Sequence, residues 1–197
     1  MLEQRIQQQF FDSADLKYAA AEVLTRPIAD ASHALLGCIT AGGKVLACGN
    51  GGSAADAQRF ASAFLGGFER ERPALQAMCL SGDAAAIAGL GQQGIFEQVF
   101  AKQVQALGHP GDLLLVLSTD GAAANILAAV DAAHEKDMTV VALVGKEGGA
   151  LAARLNETDV LISVPHSRAA RIQEVHLLVL HCLCDAVDVQ LLGEHDE

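Results

Sequence analysis

The chain has 197 residues, is 51% hydrophobic and 19% charged, and carries a formal net charge of −11. That length suits one α/β domain with helical additions and a sizeable core. The negative balance argues against direct, non-specific binding to nucleic acid, which rests on neutralising phosphates with Lys and Arg; a protein partner with a basic surface fits it better.

Taken in order, residues 2 to about 24 predict a helix, with Leu2, Ile6 and Phe10 at a spacing of four, and a second helix runs from about Pro27 to Ile39. This polar, amphipathic start lacks the apolar centre of a secretory leader, and no apolar run approaches the roughly 20 residues of a membrane span. No membrane contact is expected, and a cytoplasmic location is. The pattern then alternates: strand 44–48, helix 53–66, strand 75–80, helical segments 83–90 and 95–107, strand 112–117, helix 121–136, strand 138–143, a short helix 148–154, strand 159–163, and a long helix 169–192. Leu113 to Leu117 and Thr139 to Leu143 are continuous apolar runs, as expected of strands covered on both faces. The reading is α/β: a doubly wound parallel sheet of about five strands in a single domain over 1–197, with residues 1–42 as a helical N-terminal extension. The cysteines at 38, 48, 79, 182 and 184 lie mostly in apolar runs and read as reduced core residues. Cys182-Leu-Cys184 has no second Cys/His pair at zinc-site spacing.

Ligands of open parallel sheets sit at the carboxyl ends of the strands. Three loops fall there. In the first, Lys44-Val-Leu-Ala-Cys-Gly-Asn-Gly-Gly-Ser53 reads as strand, glycine turn and helix start, and the segment around Asn50, Gly51, Gly52 and Ser53 offers an anion the positive end of a helix dipole. Ser53 would cap the helix or donate to that anion. A tight βα turn without a ligand explains the same residues equally well. The second loop, Ser118-Thr119-Asp120-Gly121 onward, places two hydroxyls at the next helix start, as phosphate donors or as plain caps. The third, Gly145 to Gly149, is a turn.

Five ordered motifs spread over the whole chain resemble the sugar isomerase (SIS) domain of phosphoheptose isomerases: Cys48-Gly-Asn-Gly-Gly-Ser-Ala-Ala-Asp-Ala-Gln58, Glu69-Arg-Glu-Arg-Pro73, Phe96 to Val104, Pro110-Gly-Asp112 before a strand ending Ser118-Thr119, and Ala170 to His176. Ala106-Leu-Gly-His109, Asp137 to Leu143, Ser167 to Ile172 and Cys182-Leu-Cys-Asp185 bring it closest to members that associate with the DnaA replication initiator. This closer resemblance implies a flavodoxin-like SIS fold, a homotetramer, and DnaA as partner.

In the isomerases, the resemblance implies, a His and a Glu four residues apart on the helix after the glycine loop, with a Gln and a His on the last helix, form the metal and acid/base site. Here the first two positions are Arg59 and Ala63, while Gln173 and His181 keep the others. Isomerisation needs a base beside a carbonyl and an acid to polarise its oxygen, and Ala63 supplies neither. The family's Ser-Thr-Ser-Gly-Asn-Ser is Ser118-Thr-Asp-Gly-Ala-Ala123 here, so Asp120 faces any incoming phosphate. Asp83 is retained, and the family's Asn-Asp pair becomes Gln92-Gln93. The expectation is therefore a non-catalytic adaptor without metal or other cofactor, a vestigial sugar-phosphate pocket at Asn50, Gly51, Gly52, Ser53, Asp83, Ser118, Thr119, Asp120, Gln173 and His181, and an apolar anchor for DnaA at Leu191 and Leu192. The alternative is a phosphoheptose isomerase or a regulator that senses a sugar phosphate.

Overall fold

A computed structural model describes residues 1–194. Its elements are α1 (Leu2–Thr40), β1 (Val45–Gly49), α2 (Gly52–Gly66), β2 (Ala77–Cys79), α3 (Ala84–Gln92), α4 (Val99–Leu107), β3 (Leu113–Ser118), α5 (Ala124–His134), β4 (Thr139–Gly145), α6 (Gly149–Ala152), β5 (Val160–Val164) and α7 (Ala169–Leu192). The strands form one sheet in the order β2-β1-β3-β4-β5. Every pairing is parallel, with Val45 level with Leu113 and Leu113 with Thr139. This is the α/β architecture expected of a SIS domain.

Strand residues point alternately to the two faces, so the continuous apolar runs are divided between two cores. Val45, Ala47, Leu113, Leu115, Leu117, Val141 and Leu143 pack with α1, α2 and α7. Leu46, Cys48, Leu114, Val116, Val140 and Ala142 pack under α4 and α5. The long α7 buries Ile172, Val175, His176, Val179, Leu180, Leu183, Cys184 and Val187. By length and mean hydropathy it could cross a membrane, a feature the run-by-run reading of the sequence overlooks. In the fold it packs on α1, α2, β4 and β5.

Two boundaries differ from the sequence reading. The N-terminal region is one 39-residue helix with Pro27 inside it, not two helices. Proline removes the hydrogen bond to the carbonyl four residues back; here that residue is Val23, which is 55% exposed, so water can serve the freed carbonyl. The buried stripe of α1 begins only at Leu16, and Leu2, Ile6 and Phe10 remain 50–72% exposed. The second difference is α5, which starts at Ala124 rather than 121. Gly121 has a φ of +63° and its N–H is taken by the Ser118 hydroxyl, so the chain turns before it coils.

His176 is fully buried. Its Nε2 lies 3.1 Å from the Val144 carbonyl oxygen while Nδ1 has no partner. Burial pushes its pKa from 6.5 down to about 4, partly offset by the Val144 bond. A folded-state pKa below the unfolded one means that the unfolded chain takes up the proton first, so the contribution is complete above about 6.5 and lost as pH falls towards 4. The shift corresponds to about 3 kcal/mol. Urea denaturation at pH 7 and pH 4.5 should show His176→Gln losing less stability over that interval than the unsubstituted protein, by about 2–3 kcal/mol; equal losses would contradict this role for His176.

Candidate functional site

The chain leaves β1 for β2 on one side, then crosses back to β3 on the other. This makes the carboxyl ends of β1 and β3 the topological switch point. The two loops singled out in the sequence meet there. Asn50 follows β1, Asn125 opens α5, and their side-chain amides bond reciprocally, Nδ2 to Oδ1 at 2.9 Å in both directions. That pair bridges the glycine loop and the Ser118 loop. Asn125 is buried and is not among the residues the sequence singles out; its alignment with Asn50 depends on strand order, which local pattern does not reveal.

The glycine turn is built by close approach. Gly51 sits at φ +56°, and a Cβ on Gly49 would lie 2.7 Å from the Ser53 backbone carbonyl. At Gly49, Ser81 Oγ also donates to the carbonyl oxygen at 2.8 Å, while the amide donates back to that hydroxyl at 3.3 Å. Ser81 is a second residue that the sequence reading passed over. Gly51 and Gly52 are exposed at the open N-terminus of α2. Ser53 does not cap α2, as the sequence suggested: the N-cap position is Gly51, and Ser53 lies buried one residue inside the helix. From the far side, Gln173 of α7 reaches Gly52, where a Cβ would stand 2.6 Å from its Nε2.

Ser118 ends β3 and Thr119 follows it. Asp120 Oδ1 accepts the Ala122 N–H at 3.2 Å and stands 3.5 Å from Ser118 Oγ, so its carboxylate is partly engaged by its own turn. Asp83 stands apart, capping α3 by accepting the Ala86 N–H. Leu191 and Leu192 end α7, 38% and 40% exposed, on a segment remote in sequence from either loop.

One turn into α2 lies the chemistry. Asp56 is half-buried, and burial raises its pKa above the ordinary carboxylate value, opposed by the charges of Arg59 and His181. His181, on α7, packs its ring against Phe68 with centroids 5.2 Å apart. Thus α2 brings Asp56, Arg59 and Ala63 towards the α7 face that carries Gln173 and His181. Asp56 was quoted within the first motif without being named; its proximity to His181 arises from helix packing across more than a hundred residues. Two other titratable residues of α7 are engaged elsewhere. Glu174 accepts from Ser13 and pairs with Arg171, and His176 is in the core.

A five-stranded parallel sheet with two loops meeting at its switch point and helices on both faces defines a doubly wound α/β fold. The chain belongs to the SIS-domain family, in its phosphoheptose isomerase-like branch: the SIS domain model matches residues 9–145. A phosphoheptose isomerase of Methylibium petroleiphilum is 69% identical over 196 residues, spanning 100% of this chain and 98% of that one. One from Aromatoleum aromaticum is 52% identical, covering 98% of each. The structure of phosphoheptose isomerase GmhA from Neisseria gonorrhoeae superposes with a TM-score of 0.91 at 47% identity, over 95% of this chain and 99% of that one.

These relatives overturn the expected non-catalytic DnaA adaptor. Full-length similarity runs to proteins named as enzymes, and the adaptor reading leaned on the loss of a His and a Glu at Arg59 and Ala63. Those substitutions remove two metal donors but leave Asp56 and His181 on the facing helices α2 and α7.

The glycine contacts generate a direct comparison. Gly49→Ala meets backbone that cannot yield and should cost about 1–3 kcal/mol by overpacking. Gly52→Ala meets only the end of the Gln173 side chain, which can swing away, and should cost under about 1 kcal/mol. Thermal melts of both variants decide it: equal losses would contradict the packing described.

Proposed function

We propose that the chain is an aldose–ketose isomerase acting on a phosphorylated sugar of the phosphoheptose class. The observation that supports it most is the 69% identity to a phosphoheptose isomerase along the whole chain, on a fold whose two loops converge at the sheet's switch point. In this reading the loop Asn50–Ser53 and the hydroxyls of Ser118 and Thr119 take the phosphate, where backbone N–H groups and the α2 dipole favour negative charge.

Isomerisation moves one proton between adjacent carbons and one between their oxygens. Asp56, its carboxyl raised by burial, is suited to take a proton from carbon, because a base with a pKa nearer neutrality returns it readily. His181, within electrostatic reach, is suited to shuttle the proton between oxygens. Gln173, a neutral donor and acceptor, orients the hydroxyls at the glycine loop. All five cysteines are free, which supports a reducing compartment such as the cytoplasm.

The reading includes self-association as a homotetramer. Its support is the apolar surface left on one copy: Leu2, Ile6, Phe10 and Phe11 along α1, and Leu178 on α7, more than one subunit covers. Multi-angle light scattering at micromolar protein should give four times the 20.5 kDa chain mass; a monomer mass would contradict it.

The functional test is conversion of sedoheptulose 7-phosphate followed by NMR. Protein-dependent appearance of the aldose is expected, reduced about 100-fold or more by Asp56→Asn. Binding without any conversion would reject catalysis, and neither binding nor conversion would reject the substrate class.

A further inference from the structure

This inference rests on the isomerase reading and concerns how the reaction's negative charge is held. The family resemblance implies a metal bound by His, Glu, Gln and His, and the donors present here do not fit one. Arg59 has no lone pair to give and carries a permanent positive charge. Ala63 has no donor atom. Gln173 and His181 remain, two neutral ligands with a cation beside them, and among the described residues no three His, Cys, Asp or Glu side chains come together to hold a metal ion.

Arg59 also differs from the arginines that fasten α7 to its neighbours. Arg72 is locked to Asp188, Arg171 to Glu174 and Arg70 to the Gly193 carbonyl oxygen. Among the described residues Arg59 makes no ion pair or side-chain hydrogen bond, and it is exposed on the turn after Asp56. Its charge acts on Asp56, which also feels His181. An uncommitted cation therefore stands one helical turn on from Asp56, where the resemblance places a metal ligand.

We propose that the Arg59 guanidinium replaces the metal as the electrophile, so that this isomerase works without a metal ion. In the forward step a base removes a proton from C1 of the ketose. The C–H electron pair forms the C1–C2 double bond, the carbonyl pair moves to O2, and Arg59 holds the resulting enediolate oxyanion. Return of a proton to C2, loss of the O1 proton and protonation of O2 complete the aldose with no net change of atoms or electrons. A guanidinium suits this task because its forked N–H donors strengthen as the oxygen becomes charged, an interaction greater in the transition state than in the ground state.

The test uses the full-length protein purified, treated with chelator and desalted, with metal content measured by mass spectrometry. Expected are substoichiometric metal, turnover of sedoheptulose 7-phosphate unchanged within about twofold, and a loss of about 100-fold in kcat for Arg59→Gln, partly restored in Arg59→Lys. A phosphorylated aldonohydroxamate, which carries the enediolate's oxyanion, should bind Arg59→Gln at least about tenfold more weakly than the unsubstituted protein. A phosphorylated sugar alcohol should bind both alike, a split that a merely structural role would not produce. Stoichiometric metal whose removal abolishes turnover, or an Arg59→Gln variant within threefold in both kcat and hydroxamate affinity, overturns the proposal and leaves the isomerase reading standing. Absence of turnover by the unsubstituted protein under every metal condition overturns that reading itself.

Discussion

One buried ion pair fixes the relation between the two helices that carry the site. Arg72, just beyond α2, donates from Nε to Asp188 of α7 at 2.5 Å, with both side chains at most 2% exposed. Its remaining N–H groups reach the carbonyl oxygens of Ala63 and Phe64, adding a charged donor to carbonyls that also accept from the Gly67 and Leu75 N–H groups at the negative end of the α2 dipole. The guanidinium also lies over the Phe64 ring, 5.8 Å from its centroid. One side chain thus closes α2 and binds it to α7. Asp188 Oδ2 has no partner, so the carboxylate depends on Arg72, and stranding such a charge costs about 3–5 kcal/mol. The distance between Asp56 on α2 and His181 on α7 depends on this clamp.

A second constraint acts at the switch point. The reciprocal Asn50–Asn125 amide bonds and the Ser81 bonds to Gly49 hold the glycine loop from both sides. A phosphate site built from backbone N–H groups works only if that backbone is already in place, because ordering it during binding would cost affinity.

Much of this was legible in the sequence. The alternation of apolar runs and helical stretches gives all five strands in order, because strands buried on both faces cannot hide their composition, and the long final helix is read at its actual ends. The glycine loop and the Ser118 loop are visible as turn chemistry after apolar runs. Pairing across the fold is not. Asn125, Ser81 and Asp56 look like ordinary loop and helix residues until strand order and helix packing bring them to Asn50, Gly49 and His181. Pro27 misled for a different reason: a proline usually ends a helix, but at an exposed position the freed carbonyl can turn to water and the helix continues. Function was misread because two missing donors were taken as a missing activity. Charge stabilisation and proton transfer are separate tasks, and the proposed isomerase assigns them to Arg59, Asp56 and His181 in place of the usual metal set.

In the proposed isomerase, these two groups of residues hold the phosphate and the reacting carbons. A crystal structure with sedoheptulose 7-phosphate tests it most directly. The phosphate is expected at Asn50–Ser53 and Ser118–Thr119, with C1 and C2 facing Asp56, Arg59 and His181. A sugar phosphate bound elsewhere, or bound there with its carbonyl end turned away from α2 and α7, would contradict it.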